Sequence, residues 1–342
     1  METVLGSDWR QTAYKVGEAS QVAAVRRAAS DMASQLGFGD TGVGQMAIVA
    51  TEAATNILKH AERGEILLRP IQWGTAQGIE LLAIDQGPGM GNVAVSMADG
   101  TSTTGTYGGG LGAMQRLSQE FDIYSAPGKG TVIGLALWAG GHAPLGGALQ
   151  AGVVCLPIQG ETVCGDAWSI SCGPRMARVL LADGLGHGPE AALASERAAQ
   201  VLSTHGAYPA ASVLHEAHAA LRGTRGAAVS VAAIDTLREE LLYAGVGNIA
   251  AHVYNGDGSG RRQLVSHNGI VGSNLRKVQE FATPWPPGSI LILHSDGLAT
   301  RWDLATYAGI FQCHPRIIAA LLYRDFVRGR DDLSVVVVRD HP

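Results

Sequence analysis

The run Asp183-Gly184-Leu185-Gly186-His187-Gly188 stands directly after the apolar segment Ala177–Ala182, which reads as a strand. One Asp-Gly after a strand is ordinarily a turn former. Three further acidic signals share the setting: Gly165-Asp166, Ser295-Asp296-Gly297 and Asp331-Asp332-Leu333-Ser334, and three of the four directly adjoin apolar strand residues. A carboxylate buried there without compensation is costly, so a shared positive partner is the economical explanation. No soft ligand stands nearby, which favours hard cations, Mg²⁺ or Mn²⁺.

Outward from these aspartates, the region 150–342 is strand-rich at both ends. Strands are expected over 152–158, 166–171, 177–182, 227–234, 240–244, 249–254, 290–294 and 333–339, and helices over 189–203, 211–222 and 315–324. That order suggests two packed sheets with helices outside. Residues 139–149 are rich in Gly and Pro and read as a linker, which leaves 1–138 as a separate unit.

In that first unit, apolar residues recur at helical spacing from about Glu18 to Leu36 and again from Asp40 to His60. Strands fit 65–73, 79–84, 121–125 and 131–138, with a helix near 111–119, an α+β layer of helices over a mixed sheet. Glu52 and Asn56, four residues apart, project from one helix face. A carboxylate there can take a proton from a nucleophile, and the amide oxygen beside it can ligate a hard cation. Asp85 ends an apolar strand and enters the Gly87-Pro88-Gly89 turn, while Gly108, Gly109, Gly110 and Gly112 allow backbone N–H groups to approach phosphates at a helix entrance. Each element alone is commonplace. The order ExxxN, DxGxG, GGGLG, GKGT, each in matching context, is what carries information.

The chain has 342 residues, 46% hydrophobic and 16% charged, which is ample for cores and excludes a disordered chain. A net charge of −5 with scattered Lys and Arg gives no footprint for nucleic acid. No membrane span or signal-peptide core is read, so a cytoplasmic protein is expected. Cys155, Cys164, Cys172 and Cys313 form no CxxC pair and are expected as reduced thiols, and the 11 His residues show no HExxH or HxH cluster. Arg175 and Arg178 are candidate phosphate contacts, with plain solvation as the alternative.

The motif order of the first unit resembles the GHKL (Bergerat) ATP-binding fold, over nearly all of residues 10–138. The run from Gly110 to Leu117, with Phe121–Ser125 and Gly128-Lys-Gly-Thr, is most similar to the small anti-sigma-factor kinases of the RsbT type. With no phospho-accepting His box ahead of it, a sensor histidine kinase is not expected. The resemblance implies ATP as cofactor, with Glu52 as general base, Asn56 as Mg²⁺ ligand and Asp85 at the adenine amino group. It also implies that Gly87 and Gly89 shape the adenine side, that Gly108, Gly110 and Gly112 form the phosphate lid, and that Thr131 supports the adenine end.

The second unit resembles the PPM/PP2C phosphatases, a β-sandwich flanked by helices, in the SpoIIE-like branch marked by DGxGHG. Gly245-Val-Gly-Asn248 and Asn268-Gly-Ile-Val-Gly272 are similar to its RsbX subgroup. The resemblance implies two metal ions, Mg²⁺ or Mn²⁺, held by Asp166, Asp183, the Gly184 carbonyl, Asp296 and Asp331, with Asp332 in reserve for Asp331. His187 either shapes its loop or protonates the leaving oxygen, and Cys164 stands where many relatives have Gly. Together the resemblances imply a partner-switching regulator that phosphorylates and dephosphorylates Ser or Thr of a STAS-domain protein of the RsbS/RsbR type, without nucleic acid or membrane. The alternative is a phosphatase whose first unit is a noncatalytic, nucleotide-responsive binding module.

Overall fold

The computed structural model describes residues 3–6, 10–97, 110–144, 147, 149–205 and 209–340. The chain divides into two compact units, one of Trp9–Leu145 and one of Met1–Asp8 with Gly146–Pro342. The first eight residues, read from sequence as part of the first unit, therefore group with the second. Their strand β1 (Thr3–Gly6) belongs to a sheet described below.

The ATPase-like expectation for the middle of the chain takes the form β2 (Thr12–Val16), α1 (Ala19–Gln35), α2 (Asp40–His60), β3 (Gly64–Trp73), β4 (Ala76–Asp85), α3 (Val93–Met97), α4 (Gly110–Leu117), β5 (Glu120–Ser125) and β6 (Thr131–Trp138). A capping box between Glu18 and Gln21 starts α1, where orphan N–H groups need acceptors. The strands lie in the order β2-β3-β4-β6-β5, and every pairing is antiparallel rather than mixed. Alternation along β3, β4 and β6 sends Ile66, Leu68, Leu81, Ala83 and Leu135 to one face, where they pack with Val25, Met46, Ala50, Ile57 and Met114 of the helices. Full burial of each Leu or Ile contributes about 1.5–3 kcal/mol. That core holds the inner face of α2, and so fixes where Glu52 and Asn56 emerge.

The second unit is a sandwich of two antiparallel sheets. One has the order β1-β8-β9-β10-β11-β14, with β8 (Asp166–Cys172), β9 (Met176–Gly184), β10 (Ala227–Asp235), β11 (Glu240–Val246) and β14 (Phe281–Pro284). The other has the order β13-β12-β15-β16-β7, with β7 (Leu149–Leu156), β12 (Ala250–Tyr254), β13 (Arg261–Leu264), β15 (Ile290–His294) and β16 (Leu333–Asp340). Helices α5 (Pro189–His205) and α6 (Ala210–Ala220) pack on the first sheet through Ala194, Ala198, Leu202, Val213 and Leu214. Helix α7 (Pro315–Phe326) covers β7 and β16. Gly152 of β7 sits so close under α7 that a Cβ would lie 2.1 Å from the Arg316 nitrogen, which accounts for a glycine inside a strand. Strand β7 begins at Leu149, the last residue of the expected linker.

Candidate functional site

Glu52 and Asn56 are half-buried on α2, beside the buried Ala53 and Ile57. Gly110, the first residue of α4, stands against both: a Cβ there would lie 2.9 Å from Glu52 Oε2 and 3.4 Å from Asn56 Oδ1. Only a residue without a side chain brings backbone this near the pair. Gly112, two residues further along α4, is buried. Gly108, with the rest of 98–109, lies outside the described residues.

Asp85 closes β4 with its carboxylate turned into the following loop. Its Oδ1 accepts hydrogen bonds from the Gly87 N–H (2.8 Å) and the Thr131 N–H (3.1 Å), so one carboxylate joins the ends of two neighbouring strands. Gly89 has φ +69°, and a Cβ there would lie 2.0 Å from the Ala126 carbonyl oxygen, so only glycine fits. Ser125, missed in the sequence, accepts a hydrogen bond from the Met90 N–H (2.9 Å), donates to the Gly130 carbonyl (3.0 Å) and meets the Thr131 hydroxyl (2.9 Å). Asp85, Gly87, Gly89 and Thr131 thus form one cluster, and Glu52, Asn56 and Gly110 another.

In the second unit the antiparallel pairing sets Asp166 of β8 directly opposite Asp183 of β9. Residues opposite one another share a face, and like charges so placed repel. Burial pushes the Asp183 carboxyl up to about 9, with the nearby charges of Asp166, Asp296, Asp331 and Asp332 adding to the shift. Burial also raises Asp166, to about 7, against the opposing pull of hydrogen bonds from Ser334 and Ser295. The Ser334 hydroxyl donates to Asp166 Oδ2 at 2.7 Å. This serine was missed because β16 is buried on both faces and shows no alternation.

Asp296, two residues beyond β15, accepts a hydrogen bond on Oδ2 from Asn248 Nδ2 (2.8 Å). Asp331 and Asp332 part company. Both oxygens of Asp332 accept backbone N–H groups, Ile158 on Oδ1 (2.7 Å) and Gly165 on Oδ2 (2.8 Å), whereas Asp331 Oδ1 accepts the neighbouring Asp332 N–H (2.9 Å). Asp332 is committed to holding a loop, which favours Asp331 of the two as a ligand. Gly184 donates its N–H to the Gly165 carbonyl (3.1 Å), tying the turn after Asp183 to the residue before Asp166.

The donor set is all hard oxygen, and the mutual repulsion within it is what a cation would relieve, so Mg²⁺ or Mn²⁺ fits. Among the described residues no three His, Cys, Asp or Glu side chains close around a single point. Arg178 does not belong here. It is buried and pairs across from Ser171, five residues along β9 from Asp183, which is about 16 Å at strand rise. Arg175 lies further still along the same hairpin and is exposed.

These two sites and their folds define the class. The chain joins a histidine kinase-like ATPase domain, matched over residues 16–137, to a domain of the stage II sporulation protein E (SpoIIE) family, matched over residues 173–340. It belongs to the RsbT-like histidine kinase-like ATPases through the first and carries a SpoIIE-type PP2C phosphatase domain in the second, with an enzyme class represented in each. Among curated proteins, serine/threonine-protein kinase RsbT of Bacillus subtilis is 32% identical over 128 residues, covering 37% of this chain and 96% of RsbT. Phosphoserine phosphatase RsbX of the same organism is 25% identical over 150 residues, covering 44% of this chain and 75% of RsbX. A solved structure from work on the bacterial stressosome aligns with TM-score 0.52 and 28% identity over 56% of this chain and 99% of its own. RsbX in complex with magnesium shares the fold, at TM-score 0.51 and 21% identity over 58% of this chain and 98% of its own. No helix among the described residues is long and apolar enough to cross a membrane.

Proposed function

We propose that this protein is a bifunctional partner-switching regulator, which phosphorylates Ser or Thr of a STAS-domain protein from ATP with its first unit and removes the phosphate with its second. The observation that carries the reading is the pairing of Asp166 with Asp183 across two buried strands, with the charges of Asp296 and Asp331 near enough to add to the rise of the Asp183 carboxyl. Such a constellation is destabilising by itself and calls for cations. Two Mg²⁺ or Mn²⁺ ions, when bound, supply an activated water and neutralise charge on a phosphate. Asp166, Asp183, the Gly184 carbonyl, Asp296 and Asp331 would hold them. Ser334 and Asn248 each occupy one oxygen of a ligand carboxylate and so orient the other.

In the first unit Glu52 would take the proton of the attacking seryl or threonyl hydroxyl as its oxygen bonds to the γ-phosphorus of ATP and the bond from that phosphorus to ADP breaks, ADP leaving with the electron pair. Asn56 would present its amide oxygen to the Mg²⁺ that accompanies ATP, Asp85 would accept from the adenine amino group, and Gly87, Gly89 and Thr131 would shape its edge. Gly108, Gly110 and Gly112 would bring N–H groups to the phosphates.

The test is incubation of the full chain with ATP, Mg²⁺ and STAS-domain proteins, followed by removal of ATP and addition of Mn²⁺ or Mg²⁺. Phosphate on Ser or Thr should appear in the first step and vanish in the second. Glu52→Ala should abolish only the gain and Asp183→Asn only the loss. A chain that neither adds nor removes phosphate on any of them would overturn the proposal.

A further inference from the structure

We propose that Cys155 and Cys164 form an oxidisable pair, which peroxide closes into a disulfide that weakens Mg²⁺ binding at the dephosphorylation site, and which a dithiol reopens. The disulfide stands on its own geometry, and its effect on turnover rests on the phosphatase reading above.

All four cysteines are thiols, and Cys155 and Cys164 are both half-buried, within reach of a small oxidant. Their sulfurs lie 3.7 Å apart. A disulfide needs about 2.05 Å between sulfurs, so about 1.7 Å separates the pair from the bond. The two thiols meet at the neck of the loop between β7 and β8. Cys155 is next to last in β7, and Cys164 stands two residues before Asp166, the first residue of β8. That neck is already drawn together, because the carboxylate of Asp332 holds it through the Ile158 and Gly165 N–H groups. The chain entropy of closing the loop is thus met by folding rather than by the new bond.

The neck borders the aspartate cluster. Cys155 Sγ lies 3.7 Å from the Asp166 carbonyl oxygen, and its cross-strand partner Ser334 gives its hydroxyl to Asp166 Oδ2 at 2.7 Å. Gly165, next to Cys164, accepts the Gly184 N–H on its carbonyl at 3.1 Å. Within the loop, at a place the sequence did not mark, Glu161 Oε1 meets His187 Nδ1 at 2.8 Å, in the turn after Asp183. There is no slack at Gly165. A Cβ on it would lie 2.6 Å from Asp332 Oδ2 and 2.9 Å from the Ala191 Cβ. A pull on Cys164 is consequently passed to Asp332, Asp166 and the turn after Asp183, since close-packed groups transmit strain. Ligand oxygens must keep their distances to within about 0.2 Å, so a small shift there lowers affinity.

Hydrogen peroxide is the oxidant. One cysteine sulfur bonds to a peroxide oxygen as the O–O bond breaks, and the departing hydroxide takes up the thiol proton as water. The other sulfur bonds to the sulfenic sulfur, whose bond to oxygen breaks, and a second water leaves with the second thiol proton. Two thiols and one peroxide give one disulfide and two waters. A dithiol reverses the bond by exchange, ending as its own disulfide.

The experiment treats the full chain with hydrogen peroxide and then with dithiothreitol. It reads peptide masses after a Glu-specific protease, which cuts between the two cysteines at Glu161, the rise in melting temperature that Mg²⁺ produces, and p-nitrophenyl phosphate turnover in Mg²⁺. Peroxide should link the peptides bearing Cys155 and Cys164, shrink the Mg²⁺ rise and cut turnover at least about tenfold, as for residues that support a ligand shell. Dithiothreitol should restore the starting values. Cys155→Ser and Cys164→Ser should match the reduced parent and keep their turnover in peroxide. Absence of the link, or a link that leaves the Mg²⁺ rise and turnover intact, would overturn the proposal, as would an equal loss in the serine variants. A reduced parent with no turnover would overturn the phosphatase reading instead, while the link and the Mg²⁺ rise still decide whether the pair governs metal binding.

Discussion

Asp166 and Asp183 are cross-strand partners, set face to face on adjacent buried strands of one sheet. Neither has an arginine or lysine to answer it among the groups that shift its carboxyl. Asp183→Asn should therefore relieve the metal-free protein while disabling the metal site. The expected melting temperature without metal rises by about 2–4 °C, as for roughly 1 kcal/mol in a unit of this size. The rise that Mg²⁺ produces in the parent should disappear, and phosphatase turnover should drop by more than the roughly 10–100-fold typical of residues behind the ligands. A variant that still gains stability from Mg²⁺ would exclude Asp183 as a ligand.

The same two carboxyls make metal affinity depend on pH. Both are raised in the folded chain, Asp166 to about 7 and Asp183 to about 9, so the native state holds protons that the unfolded state has released. Between roughly pH 4 and 9 the metal-free protein should accordingly lose stability as pH rises. A bound cation must displace those protons, so Mg²⁺ should bind more tightly at pH 8.5 than at pH 6.5, by up to about tenfold per pH unit. Calorimetry in buffers of different ionisation enthalpy would register the protons released. A pH-independent affinity with no proton release would contradict this account.

Gly110→Ala probes the other site. Alanine stabilises a helix by about 1 kcal/mol over glycine, so thermal stability should hold or improve. The new methyl, 2.9 Å from Glu52 Oε2, must push that carboxylate aside. Phosphotransfer from ATP should then fall at least about tenfold with the melt unharmed. Retention of full phosphotransfer would mean that Glu52 needs no such placement.

A fourth prediction concerns acid. Burial, with Arg261 and His294 nearby, holds His252 down at about 3, and burial holds His294 down at about 4. His294 donates from Nδ1 to the Ser295 carbonyl (2.8 Å) and accepts the Trp302 indole N–H on Nε2 (3.2 Å), so the neutral ring uses both nitrogens. Depressed values mean that the unfolded state takes up protons first. The stability these rings contribute is present above about pH 6.5 and is lost as pH falls toward 4 and 3. Ring chemical shifts should show His294 still neutral at pH 5, and its titration near 6.5 would refute the arrangement.

Among the described residues, the sequence disclosed every helix longer than one turn and a half, and every interior strand, because a buried face leaves periodicity behind. The four strands it did not disclose, β1, β2, β13 and β14, are all edges of their sheets. An edge strand such as Arg261–Leu264 alternates only between exposed and half-buried positions, so its composition resembles a loop. The aspartates were legible because carboxylates at apolar strand ends need a reason. The supporting residues were not: Ser334, Ser125 and Glu161 lie 168, 35 and 26 residues from their partners Asp166, Met90 and His187, and only folding reveals those meetings. The preference for Asp331 over Asp332 also waited on the structure, since two backbone N–H groups occupy both oxygens of Asp332.

Strand β1 lies along β8 with Thr3 across from Cys172 and Gly6 across from Ser169, and β8 is the strand that opens with Asp166. The phosphatase fold is thus discontinuous, and the ATPase is an insertion within it rather than a module spliced on in front. A fragment excised at residue 150 would bare the flank of β8, inviting aggregation. Separating the two proposed activities is better done by point substitution than by cutting the polypeptide in half.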